Sequence, residues 1–144
     1  MGLSPYGNFK NVSDKRWFKY DEENQIWTLN DDQFQSDITK YKDPMSFEDT
    51  ADLCDKIQEE TKIYTFKLIE KILSKTNTKN LVLSGGYFLN CVNNFKYVKE
   101  FPDINFFIDP ICHDGGTSMG AVRYFWHIVL KNKEKNPLDT LYLG

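Results

Sequence analysis

Two glycine turns hold the residue types most capable of chemistry in this chain. The first, Ser84-Gly85-Gly86, follows the apolar run Asn80-Leu81-Val82-Leu83 and precedes a segment that reads as a helix from Leu89 to about Glu100. Paired glycines permit positive φ and close backbone approach, and the free N–H groups of a helix start favour an anion. Phosphate is the natural guest. A plain tight turn is the competing reading, because the run is neither G-x-x-x-x-G-K-[ST] nor G-x-G-x-x-G. The second turn, His113-Asp114-Gly115-Gly116, follows Asn105-Phe106-Phe107-Ile108 and opens a helix from Thr117 to about Leu130. Asp114 at a strand end can bind a metal or accept a proton; the plainer alternative is that it caps the helix. Gly116, Gly120 and Ala121 are small enough to let a helix or a nucleotide come close. Ligands of parallel α/β sheets lie beyond the carboxyl ends of strands, so both turns are expected on one edge.

Other reactive residue types read as structural. Cys112 and His113 are neighbours, but adjacent side chains on an extended segment point apart. His127 lies among Tyr124, Phe125 and Trp126, and Cys91 sits on the helix after the first turn; both suit packing or surface roles. Cys54, Cys91 and Cys112 are far apart and include no C-x-x-C pair, so reduced thiols in a cytoplasmic protein are expected rather than a disulfide framework or zinc knuckle.

The elements that must position these turns follow from periodicity. Arg16–Tyr20 and Gln25–Leu29 are aromatic and β-branched runs separated by polar Asp21–Asn24, a hairpin pattern. A loop through Asp43-Pro44 leads to a long helix, about Ser46 to Ser74, with Ser46 as its cap and Asp49 in the capping-box position. Phe47, Ala51, Cys54, Ile57, Thr61, Tyr64, Leu68 and Ile72 form one apolar stripe, widened in the second half by Ile63, Phe66, Ile69 and Leu73. The second half is therefore expected to be more deeply buried than the acidic first half. A hairpin followed by α-β-α-β-α predicts an α/β layer fold with one sheet of mixed strand direction.

Composition narrows the function. With 144 residues, 40% hydrophobic and 27% charged, the chain is globular and sized for one domain or part of one. The net charge of −3 argues against nucleic acid as a partner. Residues 31–60 hold ten acidic and three basic side chains, which read as a solvated face. Arginine is scarce, Arg16 and Arg123 against 16 lysines. No apolar run is long enough to span a membrane, and the N-terminus lacks a signal-peptide core.

Taken in order, the motifs resemble those of the nodulation-type O-carbamoyltransferases. MGLSPYG at 1–7 is similar to their M-G-L-A-P-Y-G segment, and Asp52, Lys56, Gln58, Glu59 and Glu60 match the helix before their glycine turn. NLVLSGGYFLNCVNN at 80–94 resembles N-L-x-L-[AS]-G-G-V-A-L-N-C-x-x-N, and DPICHDGGTSMGAV at 109–122 resembles P-x-x-x-D-x-G-T-A-x-G-A-A. The resemblance implies a partial actin/Hsp70/sugar-kinase-type (ribonuclease H-like) fold. Residues 1–136 would be the C-terminal lobe of its transferase domain, and 137–144, ending LYLG, an exit segment toward a YrdC-like domain. A complete member makes carbamoyladenylate from ATP and carbamoyl phosphate, then carbamoylates the hydroxyl of a small molecule. By the same resemblance Ser84, Gly85, Gly86, Asn90 and Gly116 would contact the nucleotide, Asp114 would ligate a divalent metal, iron in this family, and the Gly2–Gly7 segment would border the nucleotide. No catalytic residue is assigned.

The chain departs from the pattern in three respects. Tyr87-Phe88 replaces a small Val-Ala pair, the upstream H-x-x-x-H motif is absent, and so is the YrdC-like domain. The missing N-terminal lobe and YrdC-like domain would then act in cis or in trans. Apolar surface is expected where they dock, at the hairpin with Trp17, Phe18 and Trp27 and at Leu141-Tyr142-Leu143. Two alternatives stand beside this reading: another ATPase of the same fold, such as a sugar kinase or the tRNA threonylcarbamoylation relative, and a non-catalytic module.

Overall fold

The computed structural model of the chain describes residues 1–21, 23 and 26–135. The exit segment 137–144, with Leu141-Tyr142-Leu143, and Glu22 and Asn24 of the hairpin turn lie outside the described residues. The chain forms an α/β structure of helices and small sheets, divided into two compact units. Among the described residues one comprises 1–81 and 90–106, the other 82–89 and 107–135. No helix among the described residues is long and apolar enough to cross a membrane.

The first unit is organised on one long helix. The hairpin forms as the alternation predicts: β1 (Phe18–Asp21) pairs antiparallel with β2 (Ile26–Leu29), Phe18 opposite Leu29 and Tyr20 opposite Trp27. That register puts Phe18, Tyr20 and Trp27 on one face. The face lies on α3 (Phe47–Thr76), where Tyr64 meets Phe18 at 5.7 Å and Trp27 at 5.3 Å between ring centroids. Trp17, just before the strand, is 3% exposed. The hairpin aromatics are thus packed, and the expectation of an exposed docking patch there is corrected. Ser46 caps α3 by accepting the Asp49 N–H at 3.0 Å, as its sequence indicates. Asn77 ends the helix in the left-handed conformation, φ 50°, three residues past the expected end.

The burial of α3 overturns two expectations. Its buried residues are Ala51, Lys56, Gln58, Glu60, Thr65 and Ile69. Four of these six lie in the first half, and stripe members Phe47, Ile57 and Leu68 are exposed. The acidic stretch is a solvated face only in part: Asp31, Asp32, Asp43, Glu48 and Asp49 are exposed, whereas Asp52, Asp55 and Glu60 satisfy the backbone of the N-terminal segment. After a 3-10 turn at Ser4–Tyr6 comes α1 (Phe9–Val12), whose first N–H groups need acceptors. Asp52 accepts from Asn8 N at 2.6 Å and Asp55 from Phe9 N at 3.0 Å, while Ser4 Oγ donates to Asp55 at 2.9 Å. Gly7 permits this contact, since a Cβ there would stand 2.1 Å from Ala51 O. Deeper in, Glu60 accepts from Trp17 N at 3.1 Å and from Lys56 Nζ at 2.8 Å, and Lys56 also donates to Lys15 O at 2.6 Å. Helical periodicity counts apolar residues and is blind to polar side chains buried in matched pairs.

Two further helices complete this unit. α2 (Asp31–Ile38) replaces an expected loop; its large apolar residues are only Phe34 and Ile38, too sparse a pattern to announce a helix, and Phe34 packs edge-on against Trp17 at 5.1 Å. Asp37 of α2 is fully buried, accepting from Trp17 Nε1 at 2.9 Å and Lys40 Nζ at 2.8 Å. α4 (Cys91–Glu100) begins later than Leu89 because Asn90 caps it. Its Tyr97 is 0% exposed and meets Phe66 of α3 edge-to-face at 5.0 Å.

β3 (Asn80–Leu83) and β4 (Asn105–Ile108) form a second two-stranded sheet, at the expected positions. The one mixed sheet expected from sequence is therefore two separate sheets among the described residues, because the hairpin spends its apolar face on α3. In the second unit the chain makes a 3-10 turn at Gly86–Leu89, another at Asp114–Gly116, then α5 (Thr117–Tyr124), which widens into a π-helical turn over Phe125–Val129. Val122, Tyr124, Phe125, Ile128 and Val129 of that last stretch are all more than half exposed.

Candidate functional site

Both glycine turns belong to the second unit and line one cavity of about 410 Å³. Ser84, Gly85 and Gly86 contribute the first wall. Asp109, Ile111 and the stretch Cys112–Asp114 contribute the second, and Gly116, Thr117, Met119, Gly120 and Arg123 the α5 face. The cavity is open to solvent: Ser84, Gly85, Gly86, Asp114 and Thr117 are all exposed.

The glycines divide into two kinds. Gly85 has φ +110°, which L side chains rarely adopt, so the turn itself requires it. Gly116 is required by packing, since a Cβ would meet Ile111 O at 2.3 Å. The close approach Gly116 makes is thus to its own chain. Gly115 is covered by the His113 ring, whose Cε1 would lie 2.5 Å from a Cβ. Gly86 and Gly120 have neither reason: φ is not left-handed at either, and nothing lies within 4 Å of the Cβ position. Both face the cavity, so their missing side chains leave bare backbone where a ligand could approach.

Polar groups at the rim are similarly unspent. The capping alternative for Asp114 is corrected by the structure: α5 starts after Gly116 with no side-chain cap, and the 3-10 turn before it is capped by His113, whose Nδ1 accepts the Gly115 N–H at 3.0 Å. Among the described residues the Asp114 carboxylate has no hydrogen bond or ion pair, and neither has the Arg123 guanidinium. The Asp114 carbonyl is engaged, by Thr117 Oγ1 at 2.6 Å. Asp109 Oδ1 accepts from Ile111 N at 2.9 Å and shapes the loop.

Not every expected site residue lies here. Asn90 is absent from the cavity lining. Its Oδ1 accepts from Asn93 N at 3.2 Å and Gln58 Nε2 at 3.1 Å, and its Nδ2 donates to Gln58 Oε1 at 3.0 Å, an amide clasp between α3 and the start of α4. The Gly2–Gly7 segment is likewise absent from the lining and lies against α3. Metal ligation by Asp114 finds no complete set, because among the described residues no three His, Cys, Asp or Glu side chains are placed to hold an ion. A metal at Asp114 would need ligands from outside these residues, and no chemical step is derived through one. Arg123 was missed by sequence reasoning. Its spacing from Gly116 and Gly120, seven and three residues, was the available signal.

A family model described as carbamoyltransferase N-terminus matches residues 3–122. An uncharacterized protein of Synechocystis sp. is 33% identical over 97 residues, which cover 65% of this chain and 16% of that relative. The chain thus spans a small part of the curated relative it matches. No solved structure matches the chain significantly.

Proposed function

The chain belongs to the carbamoyltransferase N-terminal family, and from that premise we propose that it forms part of an ATP-dependent O-carbamoyltransferase of the nodulation type. In this reading the whole enzyme moves a carbamoyl group from carbamoyladenylate to a hydroxyl of a small molecule. The chain supplies the phosphate-binding surface of an actin-type domain, and the remaining lobe and a YrdC-like domain complete the enzyme in cis or in trans.

One observation carries the reading: Gly86 and Gly120 face the same cavity with space at their Cβ positions and no backbone reason to be glycine. Around them stand the exposed turn Ser84–Gly86 and the start of α5, where the helix dipole favours an anion although the Gly116 and Thr117 N–H groups already donate to His113 O and Asp114 O. Neutral backbone donors fixed by a tight glycine turn hold a phosphate without rearranging. Asn90 fits a positioning role in this scheme: its clasp on Gln58 fixes where α4 begins, immediately after the glycine turn.

The test is calorimetric titration of ATP into the chain and into Gly86→Val. Because φ at Gly86 is unstrained and the Cβ site is empty, the variant should fold normally and lose ATP binding by steric block alone. Equal ATP affinity in the two proteins would remove the phosphate from this cavity and favour a non-catalytic module.

A further inference from the structure

Resting on that reading of the cavity, we propose that Arg123 is the specificity-determining residue that selects a phosphate-bearing ligand over a neutral one. Gly116, Gly120 and Arg123 recur at four- and three-residue spacing, so they share one face of α5, and all three line the cavity. Gly120 leaves that face bare immediately before the guanidinium. Among the described residues no carboxylate neutralises this cation. Asp109 and Asp114 line the same cavity, yet no ion pair to Arg123 forms among the described residues. Arg16, by contrast, lies 3.4 Å from the buried Glu60. A guanidinium offers donors in a planar fork that matches two phosphate oxygens, which lysine, the cation this chain otherwise uses, cannot present.

The competing explanation is a surface cation complementing the last turn of α5. Binding of ATP, carbamoyl phosphate and adenosine to the wild-type chain, Arg123→Gln, Arg123→Lys and Gly86→Val separates the two. Arg123→Gln should weaken the binding of a phosphate-bearing probe by about tenfold or more, the size of one charge-assisted contact, and leave adenosine unchanged. Arg123→Lys should recover only part of the loss. Whichever of ATP and carbamoyl phosphate loses affinity identifies the source of the phosphate. Equal loss for adenosine and ATP would show a packing role and overturn the proposal. So would full rescue by lysine, or no loss in Arg123→Gln while Gly86→Val still abolishes ATP binding; that last outcome leaves the phosphate reading standing. If the wild-type chain binds neither phosphate compound, the cavity reading falls, and this inference falls with it.

Discussion

The two units treat their charged side chains in opposite ways. In the first, polar groups are spent on the chain itself: Glu60 serves Trp17 and Lys56, Asp37 serves Trp17 and Lys40, and Asp52 and Asp55 serve the start of α1. In the second, Asp114 and Arg123 are exposed without such partners among the described residues, and two glycines face open space. Buried polar groups with complete hydrogen bonding fix a structure. Exposed, unspent ones beside bare backbone are what a binding surface retains. The contrast predicts that substitutions in the first unit act on stability and those in the second on ligand affinity.

The largest effect is expected at Glu60. Glu60→Ala would leave Lys56, 1% exposed, with Lys15 O as its remaining hydrogen-bond acceptor among the described residues and would strip Trp17 N of its acceptor. A loss of about 3–5 kcal/mol is expected, measured by urea denaturation. A loss near zero would mean that the network is solvated and that the contrast between the units is false. Gly7→Ala comes next. Its Cβ would collide with the backbone of Ala51, so the N-terminal segment must lift off α3. Overpacking of this kind costs about 1–3 kcal/mol, and amide exchange should show loss of protection over residues 8–12.

Asp37 gives a pH dependence. Burial pushes its pKa up, but hydrogen bonds from Lys40, Trp17 and Gln33, with the charge of Lys40, outweigh this and hold it at about 2 against an ordinary 3.8. A lowered folded-state pKa means stability that is present above the ordinary value and lost as pH falls from there through about 2. That contribution is at most about 2 kcal/mol. In acid titrations of stability, Asp37→Asn should flatten this limb; an unchanged limb would assign the acid sensitivity elsewhere.

The smallest effect sharpens the comparison most. Gly120→Ala adds a methyl group where nothing lies within 4 Å, inside a helix where glycine is disfavoured. It should stabilise the fold by about 0.5–1 kcal/mol while weakening ATP binding. A gain in stability with no loss of affinity would detach Gly120 from the ligand surface.

Much of this was legible in the chain. Ser46 with Asp49 announced the start of α3, and the alternating aromatics announced the hairpin and its strands. The runs at Asn80–Leu83 and Asn105–Ile108 are strands, and both glycine turns line one cavity. What escaped depended on side chains finding distant partners. Lys56 and Glu60 look like surface charges until Trp17 and Lys15 are folded onto them, and Asn90 looks available until Gln58 claims it. Arg123 is hidden for the opposite reason: its spacing from Gly116 and Gly120 places it on their face of the helix, but that spacing does not show that the face lines a cavity or that the guanidinium is without a partner there.

The central claim is that the glycine turn and the first turn of α5 together bind a phosphate. The most direct measurement is amide chemical-shift mapping of the wild-type chain during ATP titration. The account predicts saturable shifts concentrated at Gly85, Gly86, Gly116, Thr117 and Gly120, with Lys56, Gln58 and Glu60 of α3 unmoved. Shifts absent from the glycine turn, or centred on α3, would contradict it.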